Sequence, residues 1–423
     1  MEASASDDGE GNTFALHQAL VNKLKNDGTI CTPGVEAAFH AVPRHLFLPG
    51  VAPSEVYRDQ AIATKSLNGM FVSSSSQPAI MAIMLELLEL KPGQRVLEIG
   101  AGTGYNAALL AHIVGQTGQV VTMDIDEDIV ESAREHLTMA GYDRVQVVCG
   151  DGGLGYPTAA PFDRIILTVQ AWDITPAWWE QLKLGGRLLL PLSLMKGAQK
   201  LVAFEKGDSL ISVAVEDCGF ISLRGAFAGP ERYLQLGPEP GLYVSVEDHI
   251  LIDTEAVYRL LLGPSRDLLT SVLVTAHEIW GGLSLWLALH EPTFCGLGAH
   301  GAIAERGIVP NLFGFSNKSS NTVGLLGEQG LCVLMPSRQK PSKSSTLCIA
   351  AAPSAFELIV RSYGPDDALA RRLIEQVTAW DVTGRPSNKG LHIRAYPLNT
   401  DYVPSENETV IPKRWTRLVL NWQ

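Results

Sequence analysis

Apolar residues recur at helical spacing from Phe14 to Asn26, where Leu16, Leu20, Val21 and Leu24 share one face, so a helix is predicted there. A second short helix is predicted over Val35–Val42, stopped by Pro43. Tyr57 to Ser76 is rich in Ser, Asn and Gly and has no period; it reads as a long connecting segment that lines a site. Gln77–Leu90 carries Ile80, Met81, Met84, Leu85, Leu87 and Leu88, a broad apolar helical face, before a Pro92-Gly93 turn.

Strand and helix patterns then alternate. Arg95–Ile99, Val120–Met123, Val145–Cys149, Arg164–Thr168 and Arg187–Leu192 read as strands, and Tyr105–Val114, Asp128–Ala140 and Trp178–Leu182 as helices. Such alternation builds a parallel sheet covered on both faces. Pro and Gly cluster from Gly229-Pro230 to Pro240-Gly241. Beyond them helices (Glu255–Leu262, Ala355–Ser362, Asp366–Thr378) and strands (Thr322–Leu326, Leu331–Leu334, Thr346–Ala351, Thr416–Asn421) mix without regular alternation. The expected organisation is a flexible tail over 1–12, an α/β domain over 13–228, a linker over 229–241 and an accessory α+β domain over 242–423.

Composition narrows the function. Of 423 residues 46% are hydrophobic and 18% charged, which allows packed cores. The net charge of −12 argues against a nucleic-acid partner, because phosphate binding needs clustered Lys and Arg. No apolar run reaches membrane-spanning length; the nearest, Ile279 to Leu289, contains two glycines. The acidic start lacks the order of a signal peptide. Six cysteines without a C-x-x-C pair fit buried free thiols in a reducing cytoplasm. Neither His277-Glu278 nor His290-Glu291 has the further histidine of an HExxH site, so no metal is expected.

The chemistry concentrates at Glu98-Ile99-Gly100-Ala101-Gly102-Thr103-Gly104-Tyr105, a strand running through a glycine-rich turn into a helix. A dinucleotide fold would place its third glycine at 105, which is Tyr105. The E-x-G-x-G-x-G pattern resembles motif I of class I methyltransferases, which implies a Rossmann-like domain binding S-adenosyl-L-methionine. Asp124, followed by Ile125, stands where a carboxylate can accept two ribose hydroxyls. Asp151 and Gly152 stand where an acid can meet the adenine amino group, or where it merely caps a loop. Asp126 and Asp128 read as helix first-turn acids, and Asp163 as a structural acid.

Val35-Glu36-Ala37-Ala38-Phe39, Val42-Pro43-Arg44-His45-Leu46-Phe47-Leu48-Pro49 and Tyr57-Arg58-Asp59 resemble the N-terminal signature of protein-L-isoaspartate O-methyltransferases. Ser76-Gln77-Pro78, Ala160-Pro161-Phe162-Asp163, Gln181–Arg187 and Gly197–Leu201 extend the resemblance over roughly residues 15–228. It implies a cytoplasmic enzyme that methylates an aspartyl or isoaspartyl carboxylate of a protein or peptide, whose ester can close to a succinimide (aspartimide). It implies that Ser76 holds the accepting carboxylate, although Ser76 also suits a helix cap. Tyr57, Asp59, Ser75, Gln77 and Pro78 would shape the peptide groove, and Glu98, Gly100, Ala101, Gly102, Thr103, Gly104, Asp124, Ile125, Asp151 and Gly152 the cofactor site.

The chain departs from the pattern in the long Ser66–Ser75 approach and at Ser222, where proline is usual. Its extension resembles, at Trp286–Pro292 and Arg414–Arg417, relatives that methylate a defined Asp of a ribosomal peptide. Isoaspartate repair and dedicated peptide maturation both stay open. A cofactor-binding scaffold acting through protein contacts is a remoter alternative, and methylation of a small molecule or nucleic acid is weakened by the N-terminal signature and the acidic balance.

Overall fold

The structure, a computed structural model, describes residues 7–67, 70–247, 250–313, 319–337 and 355–422. The chain divides into two compact units: residues up to 192, 201–229 and 392–420 form the first, and 193–200, 230–391 and 421–423 the second. The division is not colinear. The expected accessory domain over 242–423 gives up 392–420 to the first unit, and the first domain gives up 193–200.

The first unit opens with α1 (Asp7–Asn26), α2 (Pro33–Ala41) and the short α3 (Pro53–Val56). Residues 7–12, expected as part of a tail, are the first turns of α1. The connecting segment expected over Tyr57–Ser76 contains an antiparallel hairpin, β1 (Ile62–Leu67) with β2 (Met70–Ser75), pairing Ile62 with Ser75. Next come α4 (Pro78–Leu88), β3 (Arg95–Ile99), α5 (Tyr105–Val114), β4 (Gln119–Asp124), α6 (Glu127–Met139), β5 (Gln146–Cys149), β6 (Phe162–Leu167), α7 (Pro176–Gln181), β7 (Leu182–Met195), β8 (Ala198–Lys206) and β9 (Leu210–Asp217).

The sheet's parallel part runs β7-β6-β3-β4-β5. Val96, Leu97 and Ile99 of β3 and Val120, Val121 and Met123 of β4 are all buried, the near-continuous apolar run required of strands covered on both faces. One face packs Leu20, Val21, Phe39, Leu85, Leu109 and Leu110 into a core.

The second unit holds β10 (Glu231–Gln235), β11 (Leu242–Glu247), α8 (Thr254–Leu262), β12 (Ser265–Val274), α9 (Ala276–Glu278), a π turn over Ile279–Leu283, α10 (Ser284–His290), β13 (Phe294–His300), α11 (Ala302–Glu305), β14 (Ser319–Leu326), β15 (Leu331–Pro336), β16 (Phe356–Tyr363) and α12 (Ala368–Val382). Its sheet, β10-β11-β13-β14-β15-β16-β12, is antiparallel throughout. Along β15 the side chains alternate between two cores: Cys332 and Leu334 join Leu373, Val377 and Trp380 of α12, while Leu331 and Val333 join Val257 and Leu261 of α8.

Two expectations here are corrected. Ala355–Ser362, expected as a helix, contributes strand β16, whose Phe356–Tyr363 pairs with β12 and β15 on either side. The 229–241 stretch is not a linker but carries β10, and its Gly237-to-Gly241 run turns the chain into β11. The expected strand Thr346–Ala351 lies outside the described residues.

The last three strands, β17 (Leu391–Pro397), β18 (Thr409–Pro412) and β19 (Thr416–Trp422), return to the first sheet and complete its order as β18-β19-β17-β9-β8-β7-β6-β3-β4-β5. No helix among the described residues is long and apolar enough to cross a membrane. Cys218, Cys295 and Cys332 are buried free thiols, whereas Cys31 and Cys149 are exposed.

Candidate functional site

The turn after β3 sits at the carboxyl end of the parallel strands, where open α/β sheets bind ligands. The amides of Gly100 and Ala101 both donate to the Met123 carbonyl, at 2.8 and 2.9 Å, hooking the turn over the end of β4. Gly100 and Gly104 take φ of +100° and +85°. A Cβ on Gly100 would lie 2.6 Å from Thr168 Oγ1, and one on Gly104 3.1 Å from the Ala133 carbonyl. Backbone conformation and space both therefore require glycine at these two positions. Ala101 and Thr103 are buried in the turn.

Glu98 does not face outward. It is fully buried, and its carboxylate accepts from Asn106 Nδ2 at 2.7 Å and Thr122 Oγ1 at 2.6 Å. Burial pushes its pKa up to about 7, against the pull of those two bonds. Its geometry is that of a strut between β3, β4 and α5.

Asp124 closes β4, and its carboxylate accepts long bonds from the amides of Gly102 (3.2 Å) and Asp126 (3.4 Å). Burial raises its pKa. An ionised carboxylate offers about four acceptor sites, so Asp124 keeps capacity for a ligand. Asp126 stands at the N-cap position of α6, but its carboxylate turns to a bidentate contact from Arg224 (3.1 and 2.8 Å) and a bond from Lys65 (2.8 Å). The Arg224 bond, aided by Lys65, holds its pKa near about 2. Lys65 also reaches Asp128 at 2.7 Å, which ties the hairpin to α6.

Asp151 caps a short turn through Gly153 N (3.0 Å), and its other oxygen accepts from Ala226 N (2.8 Å). Gly152 packs on Ile99, and its carbonyl accepts from Trp178 Nε1. Ile125 lies against Gly225. The 221–226 segment thus crosses the tips of three strands. Arg224 binds Asp126, Ala226 binds Asp151, and Gln170 exchanges backbone bonds with Ile221 and Leu223. Ser222, where proline was expected, donates its hydroxyl to Gln170 Oε1 at 2.9 Å. Asp163 accepts from Arg95 N and pairs with Lys183, a structural role at the start of β3.

Ser75 and Ser76 are placed by a residue that motif reading left without a role. Arg44 is fully buried. Its guanidinium donates to the carbonyls of Val56 (2.8 Å), Arg58 (3.4 Å), Gln60 (3.3 Å), Ser75 (3.3 Å) and Ser76 (2.9 Å), and to Ser75 Oγ (3.3 Å). One cation therefore gathers the chain on both sides of the hairpin. Its signal in the sequence was an arginine next to His45 inside the largely apolar Val42–Leu48 run.

Ser76 Oγ has no hydrogen-bond partner among the described residues, and α4 begins after Gln77 with no side-chain cap from that residue. The first turn of α4 is served instead by Asp59, whose Oδ1 accepts from Ala79 N at 2.9 Å. Pro78 is buried at the first helical position. Tyr57 is also interior, with its hydroxyl on His45 Nδ1 (2.6 Å) and its ring stacked on His17, and burial raises its pKa to about 12. Tyr57 and Asp59 thus support the corner that carries Ser76. Ser74 brings its carbonyl to 3.5 Å from where a Cβ on Gly102 would lie, so β2 runs beside the glycine turn. Among the described residues no cluster of His, Cys, Asp and Glu could hold a metal.

A family model described as Protein-L-isoaspartate(D-aspartate) O-methyltransferase matches residues 15–227. Protein-L-isoaspartate O-methyltransferase 1 of Archaeoglobus fulgidus is 40% identical over 208 residues, 49% of this chain and 93% of that protein. The Methanopyrus kandleri protein of the same description is 42% identical over 219 residues, 51% of this chain and 94% of its own. That of Thermotoga maritima is 40% identical over 176 residues, 41% of this chain but only 55% of its own, so nearly half of that relative lies outside the match. With the ordered motifs and the strand-turn-helix geometry, the match over half its length shows that this chain belongs to the protein-L-isoaspartate O-methyltransferase family.

Proposed function

We propose that the chain is an S-adenosylmethionine-dependent carboxyl O-methyltransferase acting on an isoaspartyl or aspartyl side chain within a polypeptide. The observation that carries this reading is the unpartnered Ser76 hydroxyl at a corner fixed by Arg44, next to a glycine turn that ends beside Asp124. The donor set fits the cofactor. Gly100 to Gly104 leave the backbone bare, Asp124 has acceptor capacity for a diol, and Asp151 has spare lone pairs for an amino group. Glu98 acts one step away, by bracing the turn through Asn106.

The bound cofactor supplies a methyl group activated by its sulfonium. The accepting carboxyl has a reference pKa of about 3.9 and is already ionised at neutral pH, so no general base is needed. The protein's work is alignment. Ser76 Oγ donates to one carboxylate oxygen and orients the other, while Arg44 keeps the Ser76 carbonyl turned inward. The ester product then closes on the next backbone amide, expelling methanol and leaving a succinimide. We infer a cytoplasmic setting, supported by free thiols among which Cys31 and Cys149 are exposed. An extension does not separate repair from peptide maturation, because a relative that bears the family description also runs well past the matched region.

Two variants test the reading. Ser76→Ala should lower turnover about tenfold to a hundredfold, the size expected for a lost bond to a charged group, with S-adenosylhomocysteine affinity unchanged. Asp124→Ala should instead weaken that affinity by about 1.5–3 kcal/mol in calorimetry. Unchanged turnover in the first removes Ser76 from the chemistry, and an inactive wild type that still binds cofactor favours the scaffold alternative.

A further inference from the structure

Residues 392–420 lie outside the family match yet belong to the same compact unit as the site. Between β18 and β19 the chain turns at Lys413–Trp415, with Lys413 N bonded to the Thr416 carbonyl at 2.8 Å. This turn is fastened to Asp173. One carboxylate oxygen accepts from Trp415 N at 2.7 Å and the other from the Thr416 hydroxyl. Asp173 is buried and follows β6 on the loop where Thr168 Oγ1 donates to the Gly100 carbonyl at 2.6 Å. The anchored turn is thus held on the carboxyl-end loop that touches the glycine turn.

Aromatic rings continue the connection. The Trp415 ring lies 5.2 Å from that of Phe227, and Phe227 covers Gly153, where an added Cβ would fall 2.1 Å from the phenyl ring. Gly153 is the residue that Asp151 caps. On the other side Trp172 lies against Gly229 and under the Lys413 ammonium, 4.8 Å from the ring centre. The result is an aromatic wall, Trp172, Phe227 and Trp415, beside the loops that carry Asp151 and Asp173. Arg414 lies over it, its guanidinium 4.7 Å from the Trp415 ring. Trp415 is half-buried and Arg414 exposed, and no carboxylate among the described residues pairs with Arg414. The cations nearer the cofactor loops, Lys65 and Arg224, are already engaged by Asp126 and Asp128.

We propose that Arg414 and Trp415 form a wall of the substrate site that selects polypeptides with an acidic residue beside the methyl-accepting carboxylate. The inference rests on the methyltransferase reading above. A guanidinium stacked on an indole presents its N–H edge outward in a fixed plane, an arrangement suited to a carboxylate, while the ring covers the peptide's apolar stem. Together with the Lys413 ammonium of the same turn, the exposed Arg414 guanidinium gives a chain of net charge −12 a local positive charge for such a peptide.

The test uses the full chain and matched synthetic isoaspartyl and aspartyl peptides that differ only in Glu, Gln or Lys beside the accepting residue. Wild type should favour the Glu over the Lys peptides about threefold to fivefold in kcat/KM, the range of an exposed ion pair, and Arg414→Glu should invert that order. Trp415→Leu should raise KM about tenfold for every peptide with little change in kcat. S-adenosylhomocysteine binding in each variant reports that the first unit is folded. Equal flank ratios in an active wild type and in Arg414→Glu overturn the proposal alone. A wild type that methylates none of these peptides overturns the methyltransferase reading and this proposal with it.

Discussion

From Gly100 to Gly104 the chain is held by its own backbone, whereas the two ends of the 56–76 segment are gathered by one side chain, that of Arg44. In the first region the amides of Gly100, Ala101 and Gly102 find acceptors at the end of β4, and positive φ makes the turn possible. In the second, five carbonyls converge on the Arg44 guanidinium. The glycine turn is therefore rigid for conformational reasons, and at Gly100 and Gly104 it leaves no room for a side chain. The substrate side has its rigidity vested in a single buried cation, which carries no buried counter-charge and costs desolvation.

This contrast can be broken most sharply at Arg44. Arg44→Met leaves several buried carbonyls without donors and should cost about 3–5 kcal/mol in urea unfolding, with turnover lost before cofactor binding. Arg44→Lys should recover part of the stability, because an ammonium has three donors for five carbonyls. If the methionine variant unfolds like wild type, the hub does not organise the corner.

The next largest effect belongs to Glu98, beneath the glycine turn. Its carboxyl titrates near 4.5 when unfolded and near about 7 when folded. Its contribution is therefore fully present below pH 4.5 and is lost as pH rises through 7, a change of roughly 3 kcal/mol. Glu98→Gln keeps the Asn106 contact and cannot ionise, so its stability relative to wild type should climb by that amount between pH 4.5 and 8. Parallel pH curves for the two proteins would contradict the assignment.

Gly100→Ala should have the smallest effect on stability, about 1–3 kcal/mol, from the strained φ and the contact with Thr168. Its cofactor affinity should nevertheless fall more than that of Arg44→Lys, and equal losses would erase the distinction between the two regions.

Local periodicity made the parallel half of the first sheet readable. β3 and α5 have the bounds expected from the residues, because each is a continuous apolar or amphipathic run closed by glycine. The hairpin was not readable. Ser73-Ser74-Ser75 has no hydrophobic alternation, and its pairing depends on contacts such as Arg44, 31 residues away from Ser75. β16 was taken for a helix although Leu358, Val360 and Ser362 are buried in the alternation of a strand, because its pairing with β12 and β15 is with partners distant in the chain. In the candidate site, Gly102 bonds Asp124 and lies beside the Ser74 carbonyl of β2. Tyr57 and Asp59 carry the same polar groups but spend them inside, on His45 and on the first turn of α4, which no spacing rule reveals.

The return of residues 392–420 to the first unit also sets a schedule for synthesis. The strands that finish the ten-stranded sheet leave the ribosome only after the 162 residues from 230 to 391 have been made. At about 5–20 residues per second this is a wait of roughly 8–30 s. During that interval β9 has no β17 beside it, and its unpaired edge is open to any strand nearby.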